Sequence, residues 1–254
     1  MSLQHPFRRI IRPFTSDGYI NSEDTEYILH PSYAKSAVRN IHSYLLLLKD
    51  VNELFEFVEP SYKNKRTFSY RIHELFIRTC VEVEANFTAI LAENIYSNDP
   101  TKWTRNDYFL IDQTHKLSDY WLKLPRWEGT GSNFRPFRRW KQDPPKLFWY
   151  DYYNKVKHDI HSNFIHANLW NLMEAVSGLT AVISSQFYDQ DFVPKGAYTI
   201  ADLGDGFSTT IGGMFLIKYP EWDVDDCYSF RWRELKDKKQ IFAKHDYNAL
   251  KASK

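Results

Sequence analysis

The stretch YYNKVKHDIHSNF, residues 152–164, brings together an amide, an ammonium, an imidazole and a carboxylate. These are Asn154, Lys157, His158 and Asp159. On a helix, Asn154 and His158 lie four residues apart and share a face. Lys157 lies about 100° around the helix from His158. An imidazole moves protons near neutral pH, and an ammonium beside it neutralises a phosphate. Asp159 can orient the ring or raise its pKa, whereas Lys157 lowers it. Such a set suits phosphate chemistry that needs no metal and no cofactor. The same residue types also have a plainer use, because Asn, His and Asp near a helix end satisfy backbone groups.

A second cluster lies just upstream. FRPFRRWK, residues 134–141, carries Arg135, Arg138, Arg139 and Lys141 with no acid among them. Phe134, Phe137 and Trp140 interleave with these cations. Cations for a phosphate backbone and rings such as Trp140 for bases make a recipe for single-stranded RNA. The alternative is a structural loop whose arginines pair with acids or stack on its own aromatics.

Other chemistries fit less well. His158-Asp159 matches a His-Asp metal phosphohydrolase only if further His and Asp ligands converge, and the spacing of His115, His161 and His166 does not provide them. GDGFSTTIGG, residues 204–213, lacks the Gly-Lys-Ser/Thr ending of a phosphate loop, so its glycines read as turn formers. EWDVDD, residues 221–226, has no calcium-loop spacing. Neither Cys80 nor Cys227 has a His or second Cys at zinc spacing, and both read as free thiols in a reducing compartment. The net charge of +1 gives no global field toward nucleic acid or membrane, so any such binding needs a local patch. The longest apolar run, YLLLL at 44–48, is far too short to span a bilayer. The expected setting is cytoplasmic, with no membrane partner.

Several elements must position these residues. Residues 1–31 read as an irregular arm, punctuated by Pro6, Pro13 and Pro31. A helix is expected from a cap at Ser32 to a stop at Pro60, and a clearer one over about 68–96. The second has an apolar stripe of Ile72, Phe76, Cys80, Val83, Phe87, Ile90 and Leu91. Glu84 lies near that stripe, and Arg78 and Glu82 on its flank suit an exposed ion pair. A shorter helix is expected over 104–118 and a strand in DYWLKLP. The helix carrying the opening stretch starts near Leu147 and breaks around 158–162. A long apolar helix over 163–188 follows and should be central. Gly196, Gly204, Gly206, Gly212 and Gly213 then signal turns, with short strands in MFLIKY, CYSFRWREL and QIFAKHDY. The expected organisation is an arm at 1–31, a helical bundle at 32–194 and a β-rich C-terminal appendage at 195–254.

YNKVKHDIHSNFIHANLWNLMEAVSGL, residues 153–179, resembles the C-terminal helix pair of HEPN-like bacterial proteins. YRIHELFIRTCVEVEANFTAIL, residues 70–91, resembles the long helix that packs against that pair. The resemblance implies an antiparallel helical bundle, often a homodimer. In active members it implies a metal-independent endoribonuclease of stress or phage-defence systems. Their signature is an arginine, usually followed by a polar residue, then a histidine. Aligned on it, Asn154 takes the polar position and His158 the histidine, and Tyr153 stands where the arginine would be. Lys157 is then the cation closest to His158. The resulting expectation is an RNA-directed protein with His158, Asn154 and Lys157 at its catalytic centre. The alternative is a non-catalytic interaction or scaffold protein, built on the same bundle and binding a protein partner.

Overall fold

A computed structural model describes residues 3–16, 19–21, 25–192 and 206–252. The expected turns at Gly196 and Gly204 lie outside the described residues. The fold is mainly α. Four long helices dominate: α1 (Ala37–Leu54), α2 (Tyr70–Ala92), a third over Phe148–His158 and a fourth over Leu169–Phe187. Between α2 and the third run two single turns, α3 (Arg105–Tyr108) and α4 (Asp112–His115), joined by a 3-10 turn over residues 109–111. The third long helix is therefore α5, a turn at Ile160–Asn163 is α6, and the fourth is α7. The C-terminal segment adds α8 (Trp232–Leu235) and α9 (Tyr247–Ala252).

Ser69 caps α2, its hydroxyl accepting from the Ile72 amide at 3.2 Å. Asn168 caps α7 in the same way through the Asn171 amide. By contrast, α1 begins after Ser36, later than the expected Ser32, at a backbone φ of 57°. The expected 104–118 helix is instead two single turns joined by the 3-10 turn over residues 109–111, and Lys116, in a left-handed conformation, ends α4.

Cross-helix contacts set the directions. Phe68 bridges Asn168, and near the far ends Gln186 donates to Asn86, so α2 and α7 run the same way. Asn40 meets Asn86, and Arg78 pairs with Asp50, so α1 runs opposite to α2. Tyr150 and Tyr153 reach Glu84, while Phe164 beyond the end of α5 packs on Tyr70. Thus α5 also runs opposite to α2, and successive long helices alternate up and down. α7 is buried along nearly its whole length, as its all-round apolarity requires. Gly178 lets Trp149, Phe137 and Pro136 close on it, since a Cβ there would stand 3.1 Å from the Trp149 ring.

Arg78 does not pair with Glu82 as expected. It crosses to Asp50 of α1, and Glu82 accepts from Ser43 at 2.5 Å. These partners tie α1 to α2 at two points along its length.

The β structure is not a separate C-terminal unit. Strands β1 (Phe14–Ser16) and β2 (Tyr19–Asn21) form an antiparallel hairpin in the arm. β3 (Trp121–Lys123), β4 (Asn133–Phe134), β5 (Ser208–Thr209) and β6 (Leu216–Lys218) form one antiparallel sheet in the order β4-β3-β6-β5. Half of that sheet comes from the middle of the chain. DYWLKLP and MFLIKY supply β3 and β6 as expected, whereas CYSFRWREL and QIFAKHDY give isolated bridges and α8. Leu3 and Phe14 bridge to Tyr228, and Phe7 to Ala243. Tyr228, Trp232, Leu235 and Tyr247 join the same buried cluster as the bundle helices. Arm, bundle and tail therefore share one core. Gly212 turns the chain between β5 and β6 at φ +77°, and a Cβ there would collide with Leu48 of α1 at 2.6 Å. The glycines of 206–213 thus serve turns and packing, as their lack of a phosphate-loop ending implied. No helix among the described residues is long and apolar enough to cross a membrane.

Candidate functional site

Helix α5 carries the site because its two faces differ. Trp149, Tyr150, Tyr153 and Val156 are buried, while Phe148, Lys155, Lys157 and His158 are exposed. The buried face is anchored on one carboxylate. The Tyr150 hydroxyl donates to Glu84 Oε1 of α2, and the Tyr153 hydroxyl donates to Oε2 at 3.1 Å. Burial, reinforced by the Glu84 charge, pushes both phenols far above their usual pKa, so both stay protonated donors. Tyr108 lies nearby, its hydroxyl 3.2 Å from Thr88 Oγ1. The sequence placed Glu84 near the apolar stripe but did not reveal its partners. A carboxylate at the edge of an apolar helix face, with tyrosines on another helix, was the available signal.

At its exposed end α5 stops at His158, where Asp159 turns extended. Asn154 is half-buried and His158 is open to solvent, one turn apart on the same face. The Lys157 ammonium sits 5.2 Å from the centre of the Tyr153 ring. Among the described residues, no hydrogen bond or ion pair engages the side chains of Asn154, Lys157 or His158. Capping falls to their neighbours. The Asp159 carboxylate accepts from the Ser162 amide at 3.2 Å, and the Asn163 amide group donates to the Asp159 carbonyl at 3.0 Å. Hydrogen bonds from Ser162 hold the Asp159 carboxyl below its usual pKa range. Asp159 therefore starts α6 rather than orienting His158. Lys155, Lys157 and His158 all lie in the last turn, where positive charge suits the helix dipole.

The FRPFRRWK segment divides into an inner and an outer set. Trp140, expected as a stacking platform for bases, is instead 2 % exposed and wedged among Phe87, Phe109 and Phe137. Its ring faces are occupied by the core, which corrects that expectation. Arg135 lies over the Trp121 ring at 4.5 Å, and Arg139 over Phe148 at 4.5 Å. Lys141 pairs with Asp119. Arg138 is exposed, with no side-chain hydrogen bond or salt bridge among the described residues, and the Glu174 carboxylate lies close enough to feel its charge. Three of the four cations thus have neighbours of the structural kind, and Arg138 stands open.

The two clusters are not one site within a chain. Arg138 and Arg139 border the start of α5, whereas Lys157 and His158 end it. Helix rise separates Phe148 from His158 by roughly 15 Å. Within one chain, Arg138 and Arg139 therefore lie too far from Lys157 to share one phosphate with it. Among the described residues, no three His, Cys, Asp or Glu side chains are grouped to hold a metal ion.

The chain matches no protein-family model, no curated protein and no solved structure.

Proposed function

We propose that this chain is an RNA-directed bundle protein of HEPN-like type, acting as a weak metal-independent endoribonuclease. The observation that carries this reading is the division of labour at the end of α5. Asp159 and Asn163 do the capping, while the side chains of Asn154, Lys157 and His158 make no hydrogen bond or ion pair among the described residues. The plainer use of such residues is thereby assigned to others. In the reaction, the RNA 2′-oxygen bonds to the adjacent phosphorus as the bond to the 5′-oxygen breaks. A base takes the 2′-hydroxyl proton and an acid returns one to the leaving 5′-oxygen. The products are a 2′,3′-cyclic phosphate and a 5′-hydroxyl. His158 serves as base or acid, Asn154 orients it or the phosphate, and Lys157 balances charge. Two copies facing across a two-fold axis supply both proton-transfer roles.

A second reading, the non-catalytic scaffold, rests on Tyr153. The residue standing where the resembling family has its arginine is fully buried and donates to Glu84. A neutral phenol turned inward gives a phosphate no charge.

Incubation with RNA in excess chelator separates the two. The ribonuclease reading expects cyclic-phosphate products that vanish in His158→Ala while the melting temperature stays unchanged. A wild-type chain as inert as that variant leaves the scaffold reading.

A further inference from the structure

A cavity of about 170 Å³ opens at the N-terminal end of α5. Arg135, Arg138, Arg139 and Lys146 line it, with Phe148 at the wall and Glu174 of α7 opposite. Among the described residues, none of these four cations has a carboxylate within salt-bridge distance. Other arginines of the fold have carboxylate partners, as Arg9 with Glu93 and Arg105 with Asp151. The Nε of Arg135 is buried with no hydrogen-bond partner. Glu174 is the only carboxylate in the lining, and burial pushes its pKa up to about 7 against the pull of Arg138 and Arg139. Near neutral pH the cavity therefore carries a surplus of positive charge. The first turn of α5 adds to it, because Leu147 at the N-cap has no side-chain group to cap the backbone amides.

We propose that this cavity is a phosphate subsite that takes the terminal phosphate monoester of an RNA strand, held by Arg138, Arg139 and Lys146. A monoester near neutral pH carries close to two charges and a chain diester only one, so a surplus of cations selects the end of a strand over its interior. The cavity has room for a phosphate group with its waters. For the nucleoside that follows, the outer face of α5 offers a path. Phe148, Tyr152 and Lys155 recur there at helical spacing, and the Tyr152 ring is stacked on His166 with centroids 4.4 Å apart. That path leads toward His158. The choice of RNA as the carrier of the phosphate rests on the reading above. Cleavage by that reaction leaves a cyclic diester and a hydroxyl, so neither new end competes for the cavity.

The test measures binding of the full chain to one short oligoribonucleotide in three forms: 5′-phosphorylated, 3′-phosphorylated and unphosphorylated. The proposal expects at least one phosphorylated form to bind about tenfold tighter than the unphosphorylated form. Inorganic phosphate should compete, and Arg138→Glu should erase the preference without lowering the melting temperature. His158→Ala should retain the preference while losing cleavage, so the two sites fail separately. Equal affinity for all three forms overturns the proposal, even in a chain that cleaves RNA. Binding of inorganic phosphate that Arg138→Glu abolishes, with no preference among the oligonucleotides, overturns RNA as the carrier.

Discussion

Arg9 and His158 each hold a polar head group beside an amide, and they meet opposite fates. Arg9 is 1 % exposed. Its Nε donates to Glu93 Oε1 at 2.6 Å, its Nη1 to Gln186 Oε1 at 2.8 Å and its Nη2 to the Lys35 carbonyl. Glu93 accepts in turn from the Lys35 amide, and Gln186 donates to Asn86 at 3.1 Å. The Arg9 carbonyl accepts from His115 Nε2 at 2.9 Å. Every group has a partner, and the network ties the N-terminal arm to α2 and α7. His158, Asn154 and Lys157 have none of this. A buried polar group must be satisfied, so the Arg9 network is explained by stability alone. Three side chains without hydrogen-bond or ion-pair partners among the described residues leave the fold little to lose, and their chemistry is available to a ligand.

Breaking the buried side of this contrast should have the largest effect. Arg9→Met leaves Glu93 charged and unpaired in the interior, and should cost about 3–5 kcal/mol in denaturant unfolding. The double variant Arg9→Met, Glu93→Leu should recover a large part of that loss, because no buried charge remains.

Acid should find the same region next. His115 is fully buried, and burial lowers its pKa to about 3, below its ordinary 6.5. The folded chain prefers the neutral ring, so its contribution is fully present above pH 6.5. That contribution is lost as the pH falls toward 3, about 3 kcal/mol being gone by pH 4. Unfolding free energies measured from pH 7 to 4 should fall steeply in the wild type and less steeply in His115→Gln. An equal slope in the two chains would remove His115 from the account.

The Glu84 anchor lies between the two extremes, part core and part site. Tyr153→Phe removes one of its two phenol donors and leaves Tyr150 in place. The expected loss is about 1 kcal/mol. A much larger loss would mean that Tyr150 cannot hold the carboxylate alone.

Where the sequence is a good guide and where it is not follows from the same physics. α2 and α7 are legible because a long apolar stripe has one use, although α7 starts at Leu169, behind its cap at Asn168, rather than at the expected 163. The Arg9 network is not legible, because its members lie far apart in the chain and only the fold brings them together. Trp140 shows a different limit. Phe134, Phe137 and Trp140 alternate with arginines whether the rings face a base or the core. The spacing is the same, and only packing decides that they turn inward, Phe137 and Trp140 against Phe87 and Phe134 against Trp127, Trp170 and Phe215. The β-rich tail reads as an appendage because its strands are short and its glycines many. Its aromatic residues Tyr228, Trp232 and Tyr247 belong to the shared core, a fact carried by contacts with the arm rather than by any local pattern. Asn154 and His158 are correctly placed on one face by counting alone, whereas Asp159 could not be assigned to its capping role before the turn at 159 was seen.

The most direct test sets His158→Ala against the wild type on RNA in the presence of excess chelator, with thermal unfolding of both chains measured alongside. The account predicts cleavage by the wild type and none by the variant. Because an exposed imidazole with no partner contributes little to the fold, the two stabilities should agree within about 0.5 kcal/mol. Cleavage that persists without His158, or a variant that unfolds far more easily, would contradict the claim that this end of α5 is free for chemistry.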